Sequence, residues 1–466
     1  MQLTGPLFLY LFLPLSLLLL PFCPARYRKA ALSLLSVLWY VLANIGSPLG
    51  LLQVAAVILL ITLLAILPDG DYPRLRCFFG VAIPLLFLLT ARILAEYTVG
   101  YPYPYGITLV SLGGISLSID RYRGDAPERD KPLDVIGYLL FFPTLTLGPI
   151  LRYKQYLYIT EKIAPSFAAF SRGAQRYMLG LVKRIAGAAV ILRAIGDLLS
   201  YGIEFLSPIS LLALLLLAYL FLYFFLSGTV DMAKGLMEIY GLRPPRGIAL
   251  LCDTVTPHRL LYSMTLSLER YLQDYVTAPI RRRLGGRGGS LLAACAVFAI
   301  TVLFYRTRPV LLLLALPVLI SALLCNSMHR WQRTPHNPLL RLLLSFLSAL
   351  SLSLFSLGLL LKNPLDLLPL LKNALAGEGS YSIYYIYSAL PDGPYIVTVL
   401  LILLVGVLLH RFAPAILKKL PRRLVAVLRP LATAALFAAF LVTLFHLLPQ
   451  FPTYANEAIR ALFTVR

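Results

Sequence analysis

Apolar residues in this chain come in runs of the length a lipid bilayer demands, separated by short polar stretches. A membrane-crossing helix needs about 20 largely apolar residues. Runs that reach or approach that length lie at 5–23, 30–45, 49–67, 77–96, 175–199, 208–227, 290–305, 309–328, 342–361, 396–410 and 425–449. Shorter runs lie at 105–119 and 135–151, and Gly46, Ser47 and Pro48 divide what would otherwise be one very long run. The first run starts without a basic stretch before it, which predicts a retained span and not a cleaved signal peptide. The pattern predicts an all-α polytopic membrane protein of about 11–13 hydrophobic segments. No repeat is visible, and the longest polar loops, near 120–134, 152–174 and 362–395, are too short to fold alone. We therefore expect one membrane domain, 1–466: N-terminal spans over 1–100, a core over 101–330 and C-terminal spans over 331–466.

Two segments break the pattern. Between 257 and 283, Leu260, Leu261, Met264, Leu268, Tyr271, Leu272 and Tyr275 recur at helical spacing. Arg259, Thr265, Glu269, Arg270, Gln273 and Asp274 fall between them. That predicts an amphipathic helix in the membrane interface, ending at an arginine cluster and Gly285-Gly286. The run 135–151 has Arg121, Arg123 and Lys131 before it and Arg152 and Lys154 after it. Cations at both ends predict a re-entrant segment, which is tolerated only against protein or a water-filled cavity.

Composition agrees with lipid as the main solvent. Of 466 residues, 59% are apolar and 13% charged, against about 25% charged in soluble domains. The net charge of +22 falls in short clusters between apolar runs, as expected of cytoplasmic loops and headgroup contact, so no nucleic-acid partner is expected. Arg26, Arg28 and Lys29 place the first loop in the cytoplasm and the N-terminus outside; Arg74 and Arg76 agree, and Arg281, Arg282, Arg283 and Arg287 mark another cytoplasmic stretch, as do Lys418, Lys419, Arg422 and Arg423. The five cysteines are scattered without metal-ligand spacing, so no metal site is expected.

Ionisable residues at membrane depth are costly and therefore informative. Lys183, Arg184 and Arg193 interrupt the 175–199 run, either snorkelling to an interface or serving a function. Asp231, Lys234 and Glu238 share one helical face, a spacing at which they can neutralise each other.

Four stretches then carry a resemblance. "PYGITLVSLGGISLSIDRYRG" (104–124) resembles the Pro-x-Gly-Ile-Ser … Ile-Asp-x-Tyr-Arg-Gly segment of the bacterial membrane-bound O-acyltransferases (MBOAT), the branch of the alginate O-acetyltransferase and the teichoic-acid D-alanyl transfer protein. "YLLFFPTLTLGPILRYKQY" (138–156) is similar to its Phe-Phe-Pro-x-Leu-x-x-Gly-Pro-Ile-x-Arg-Tyr signature. "FLSGTVDMAKGLMEIYGLR" (225–243) resembles its Gly-x-x-Asp-x-Ala-x-Gly helix, and "TLSLERYLQDYVTAPIRRRLGG" (265–286) its His-x-Ser-Leu-Ser-x-Trp-Leu-Arg-Asp-Tyr-Val … Leu-Gly-Gly segment.

The resemblance implies a ring of membrane helices around a funnel or tunnel. It implies transfer of an acyl group from a thioester donor, acyl-carrier protein or acyl-CoA, to a hydroxyl of an extracytoplasmic glycan or lipid-linked saccharide. No tightly bound cofactor is implied. Expected partners are membrane lipid and either an acyl-carrier protein or an extracytoplasmic acyltransferase, and the expected location is a bacterial inner membrane. An alcohol needs a base of near-neutral pKa to accept its proton, which is why the family is held to use an intramembrane histidine.

This chain departs from that pattern. Tyr305 stands where the histidine of Gly-Leu-Trp-His-Gly is expected, Thr265 stands at the second family histidine, and Gln273 replaces the arginine before Asp274. Tyrosine titrates near pH 10 and is a weak base. His258, seven residues before Thr265, would lie two turns away on the same helical face, roughly 10 Å along the axis. The catalytic candidates are therefore Tyr305, Thr265 and His258; the substrate-binding candidates are Arg152, Ser267, Gln273, Asp274 and Asp231. Two other readings stand beside the enzyme: a non-catalytic partner binding lipid, donor or glycan, and, more weakly, a transporter of a lipid-linked saccharide, for which no inverted repeat is visible.

Overall fold

The computed structural model describes residues 7–67, 72–98, 101, 103–126, 131–145, 149–200, 207–244, 266–285, 288–289, 292–293, 295–297, 300, 338–361, 366–376 and 422–443. Among them the chain is all α, as its apolar periodicity predicts. The helices are α1 (Leu13–Phe22), α2 (Arg28–Asn44), α3 (Pro48–Ile66), α4 (Pro73–Tyr97), α5 (Ile107–Tyr122), α6 (Pro132–Leu139), α7 (Tyr153–Glu161), α8 (Phe167–Val182), α9 (Val190–Ser200) and α10 (Pro208–Ile239). They continue as α11 (Leu266–Leu272), α12 (Ala278–Leu284), α13 (Pro338–Leu360), α14 (Leu367–Ala376) and α15 (Arg422–Val442). π-helical turns at Lys183–Ala189 and Gln273–Thr277 join α8 to α9 and α11 to α12. Among the described residues, three helices are long and apolar enough to cross a bilayer: Pro48–Ile66, Pro73–Ala95 and Pro208–Ile239. This is a polytopic membrane protein. The runs at 309–328 and 396–410 lie outside the described residues.

The tightest packing joins α8 to α10. Gly173, Gly180 and Gly187 recur every seventh residue on one strip, and Gly228 and Gly235 do the same on α10. Seven residues make almost two turns, so each set lies on one face. A Cβ at Gly180 would stand 2.7 Å from the Gly228 carbonyl oxygen, and one at Gly235 2.7 Å from that of Gly173. The two backbones are in direct contact. Lipid offers no hydrophobic drive for helices to associate, and close backbone approach through small residues substitutes for it.

The same pair holds charge. Arg176 on α8 bonds Glu238 at 2.9 Å and Asp231 at 3.4 Å, and Lys183 bonds Asp231 at 2.6 Å. Lys234 lies within coulombic reach of both carboxylates, as the spacing along α10 predicts, and the same carboxylates also pair across to α8 and the π turn after it. Arg184 is buried, with Nη1 donating to Thr229 Oγ1 at 2.5 Å and its guanidinium 4.7 Å over the Phe225 ring. It does not snorkel; the polar partners lie on the facing helix.

Cations gather at one end of the helices. Arg76 at the start of α4 and Arg121 at the end of α5 both donate to the last carbonyls of α3, those of Leu64 and Ala65, where the helix dipole favours positive charge. Lys29 at the start of α2 pairs with Asp134 at the start of α6 at 2.8 Å, and Arg28 donates to the Ile163 carbonyl at 3.1 Å. Arg76 and Arg121, far apart in the chain, thus meet at the end of α3. α6, expected inside a re-entrant segment, is eight residues long, about 12 Å, too short to cross. It breaks into irregular backbone carrying the buried Phe141, Phe142 and Leu145, which pack against protein.

Candidate functional site

The four stretches singled out in the sequence meet in space. Ser116 of the first and Tyr138 of the second share a hydrogen bond of 3.0 Å, and the Tyr138 hydroxyl donates to the Leu151 carbonyl at 2.9 Å. Phe142 of the second packs edge-on against Tyr240 of the third, ring centroids 5.5 Å apart. The fourth, on α11 and the turn after it, closes the network onto the first two.

That fourth element is amphipathic, as its spacing predicts. Leu268, Tyr271 and Leu272 are buried, while Arg270, Gln273, Arg281, Arg282 and Arg283 are exposed. The Tyr271 hydroxyl donates to the Leu112 carbonyl on α5 at 3.0 Å, tying the helix to the core. The π turn at Gln273–Thr277 then presents Asp274 and Tyr275 to the cationic end of the molecule. Such single widened turns recur at functional sites, because they redirect side chains without ending the helix.

Here the junction assembles. Arg152, the residue capping the start of α7, forms an ion pair with the Asp274 carboxylate, and Arg123 donates to the Asp274 carbonyl at 3.1 Å. Tyr275 donates to the Asp120 carboxylate at 2.6 Å. Two guanidiniums approach its ring, Arg123 at 5.3 Å and Arg152 at 5.8 Å from the centroid. Asp120 is buried in the last turn of α5, past the apolar run 105–119. Burial pushes its carboxyl above the ordinary carboxylate range, opposed by the Tyr275 bond and by the Arg152 charge. Burial and the neighbouring Asp120 push the Tyr275 hydroxyl up as well.

The two carboxylates balance the two guanidiniums, so the junction is neutral. Its side chains are partly solvated, 36% exposed for Arg152 and 42% for Asp274. An ion pair so placed contributes at most about 1 kcal/mol. What it supplies is placement: polar groups from α5, α7 and the π turn fix the course of the chain entering and leaving 266–284.

Of the substrate-binding candidates, Arg152 and Asp274 meet directly and Gln273 sits beside them on the π turn with its side chain exposed. Asp231 belongs to the α8–α10 pair and not to this junction. Ser267 lies on α11, its side chain outside the described residues. Thr265, His258 and Tyr305, the catalytic candidates, also lie outside them. Asp120, Arg123 and Tyr275 were not among the candidates, although each stands inside a matched stretch. The signal was the stretch itself; only contact shows which of its residues face one another. Among the described residues, no group of three or more His, Cys, Asp or Glu is placed to hold a metal ion.

No family model matches the chain. It is 32% identical over 189 residues to the probable alginate O-acetylase AlgI of Pseudomonas aeruginosa, covering 40% of this chain and 35% of that protein. It is 31% identical over 175 residues to the protein of that name from Pseudomonas putida, covering 37% of this chain and 35% of that protein. The likeness to the Azotobacter vinelandii protein of that name is 27% over 325 residues, 65% of this chain and 63% of that protein. The matches thus span from about a third to less than two thirds of these relatives' lengths. They bear out the resemblance to the alginate O-acetylase branch of the membrane-bound O-acyltransferases.

Proposed function

We propose that this chain, as a relative of the alginate O-acetylases, is a membrane O-acyltransferase that esterifies hydroxyls of an extracytoplasmic glycan or lipid-linked saccharide. One observation carries the reading: stretches dispersed between 104 and 286 converge, and three of them lock together at the Arg152–Asp274–Tyr275–Asp120 junction. A scaffold that merely filled the membrane would have no need to hold these particular polar residues in register.

The donor would be an acyl thioester, on an acyl-carrier protein or coenzyme A. The acceptor hydroxyl oxygen attacks the thioester carbonyl carbon. The C–S bond breaks, the thiolate leaves, and a base takes the hydroxyl proton and passes it to the thiolate. Tyr305, Thr265 and His258 are our candidates for that proton path and for hydrogen bonds to the developing oxyanion. The junction would hold the 266–284 helix, which carries a matched stretch, within the funnel the resemblance implies. The cationic end would face the cytoplasm of a bacterial inner membrane, where the donor is made, with the N-terminus outside.

The test is mass analysis of envelope glycans from cells with and without the protein. Ester groups should disappear on deletion and return with the wild-type chain. If neither the wild type nor Tyr305→His ever yields acyl ester, the reading is dead.

Tyr305 and Thr265 at the two histidine positions favour a second reading, a non-catalytic partner that binds lipid, donor or glycan within an acylating complex. On that reading Tyr305→Phe and His258→Ala leave envelope acylation intact, while Gly180→Leu, which separates α8 from α10, abolishes it.

A further inference from the structure

The helix clamped at the π turn does not stop there. α12 runs on from Thr277 to Leu284, packing chiefly on its own π turn among the described residues. Arg281, Arg282 and Arg283 on it are exposed, and Leu284 after them is 61% exposed. Gly285 then turns the chain at φ 54, a left-handed conformation that suits glycine. The arginines follow Asp274 by seven to nine residues of helix, about 10–14 Å along the axis. They continue the helix beyond the junction that holds Arg123 and Arg152.

An exposed leucine directly beside three exposed arginines is poorly suited to water. It suits the boundary of a bilayer, where the apolar side chain enters the acyl region and guanidiniums meet phosphate. Arginine's planar fork also matches phosphate oxygens in a bidentate geometry. An acidic protein would satisfy the guanidiniums and leave Leu284 in water.

We propose that Arg281, Arg282, Arg283 and Leu284 form a binding surface for the phosphate headgroups of anionic phospholipids, seating the far end of the 266–284 helix in the headgroup layer while the π turn holds its near end. This rests on the membrane placement and not on acyl transfer. The surface deepens the functional reading only by anchoring the helix that the junction positions.

The experiment uses the full chain in vesicles of phosphatidylethanolamine with or without phosphatidylglycerol, following amide hydrogen exchange over 278–284 and the phosphatidylglycerol retained after extraction. Wild type should gain protection with phosphatidylglycerol and lose it as salt is raised. Arg281→Gln/Arg282→Gln/Arg283→Gln should bind phosphatidylglycerol about tenfold to a hundredfold more weakly, at roughly a tenfold change per 1.4 kcal/mol and about 1 kcal/mol per surface cation. The Arg→Lys triple variant keeps the charge and should retain most of the protection. Unchanged phosphatidylglycerol retention in the Gln variant overturns the proposal. So does protection that appears only on adding an acidic acyl-carrier protein. Envelope ester content, measured in parallel, reports on acyl transfer separately: ester loss without lipid loss, or the reverse, tells the two readings apart.

Discussion

The α8–α10 pair and the Arg152–Asp274 junction both hold matched carboxylates and cations, and both carry a π turn, yet they are built for opposite purposes. In the helix pair both carboxylates and Lys183 are largely shielded, Lys183 13% and Asp231 and Glu238 19% exposed, with Arg176 at the rim at 36%, and the glycine strips press the backbones together. At the junction Arg152 and Asp274 are about twice as exposed as those three shielded groups or more, and they join segments far apart in the chain through side-chain contacts alone. A shielded charge in a membrane protein is expensive to strand, so the first arrangement is architectural. A solvated pair contributes little stability, so what the junction supplies is placement of the 266–284 helix. Distance from water separates the two roles.

The largest expected effect breaks the first region. Gly180→Leu or Gly235→Leu drives a side chain into a facing backbone that cannot move aside. We expect a loss of about 3 kcal/mol or more, read as a fall in folded yield and in melting temperature in detergent.

Next, Asp231→Asn leaves Lys183 and Arg176 without that carboxylate. A cost of about 2–3 kcal/mol is expected, recovered in part by the double substitution with Lys183→Met. If Asp231 instead bound substrate, Asp231→Asn would cut acylation with the melting temperature unchanged, and the contrast between the regions would fail.

Arg152→Ala should behave in the reverse way. Its stability loss should stay below about 1 kcal/mol. Envelope ester content should drop tenfold or more, because small misplacements of a positioned helix cost up to about a hundredfold in rate. Equal losses of stability and product would make the junction architectural too.

The smallest effects concern Tyr275 and Asp120. Tyr275→Phe keeps the ring beside the guanidiniums and removes one hydrogen bond, about 1 kcal/mol. Since burial raises the Asp120 carboxyl, this group favours folding most below its unfolded pKa, and that contribution is lost as pH rises through the raised folded value. Asp120→Asn should therefore flatten the decline of melting temperature with rising pH above the ordinary carboxylate range. A parallel slope in wild type and variant would show that Asp120 is not the group responsible.

Much of the fold was legible in the chain because lipid is an unforgiving solvent. A run such as 49–67 has one structure that satisfies its backbone, and α3 occupies Pro48–Ile66. The amphipathic period at Leu268, Tyr271 and Leu272 named its buried face correctly. The charged residues were harder. Spacing along α10 put Lys234 within reach of Asp231 and Glu238, but it could not show that Arg176 on α8 and Lys183 on the π turn after it bond the same carboxylates. Arg152 and Asp274 could be named as candidates, but not as a pair.

What the sequence determined alone was the solvent, the helical class, the cation-rich loops and the stretches of kinship, since each is a property of local order along the chain. The tertiary structure decided which charges meet, that Arg76 and Arg121 meet at the end of α3, and that Tyr275 and Asp120 complete the junction. Those depend on contacts between segments up to about 150 residues apart, as Tyr275 and Asp120 are, and no local pattern encodes a bond whose partners are chosen by the packing of other helices.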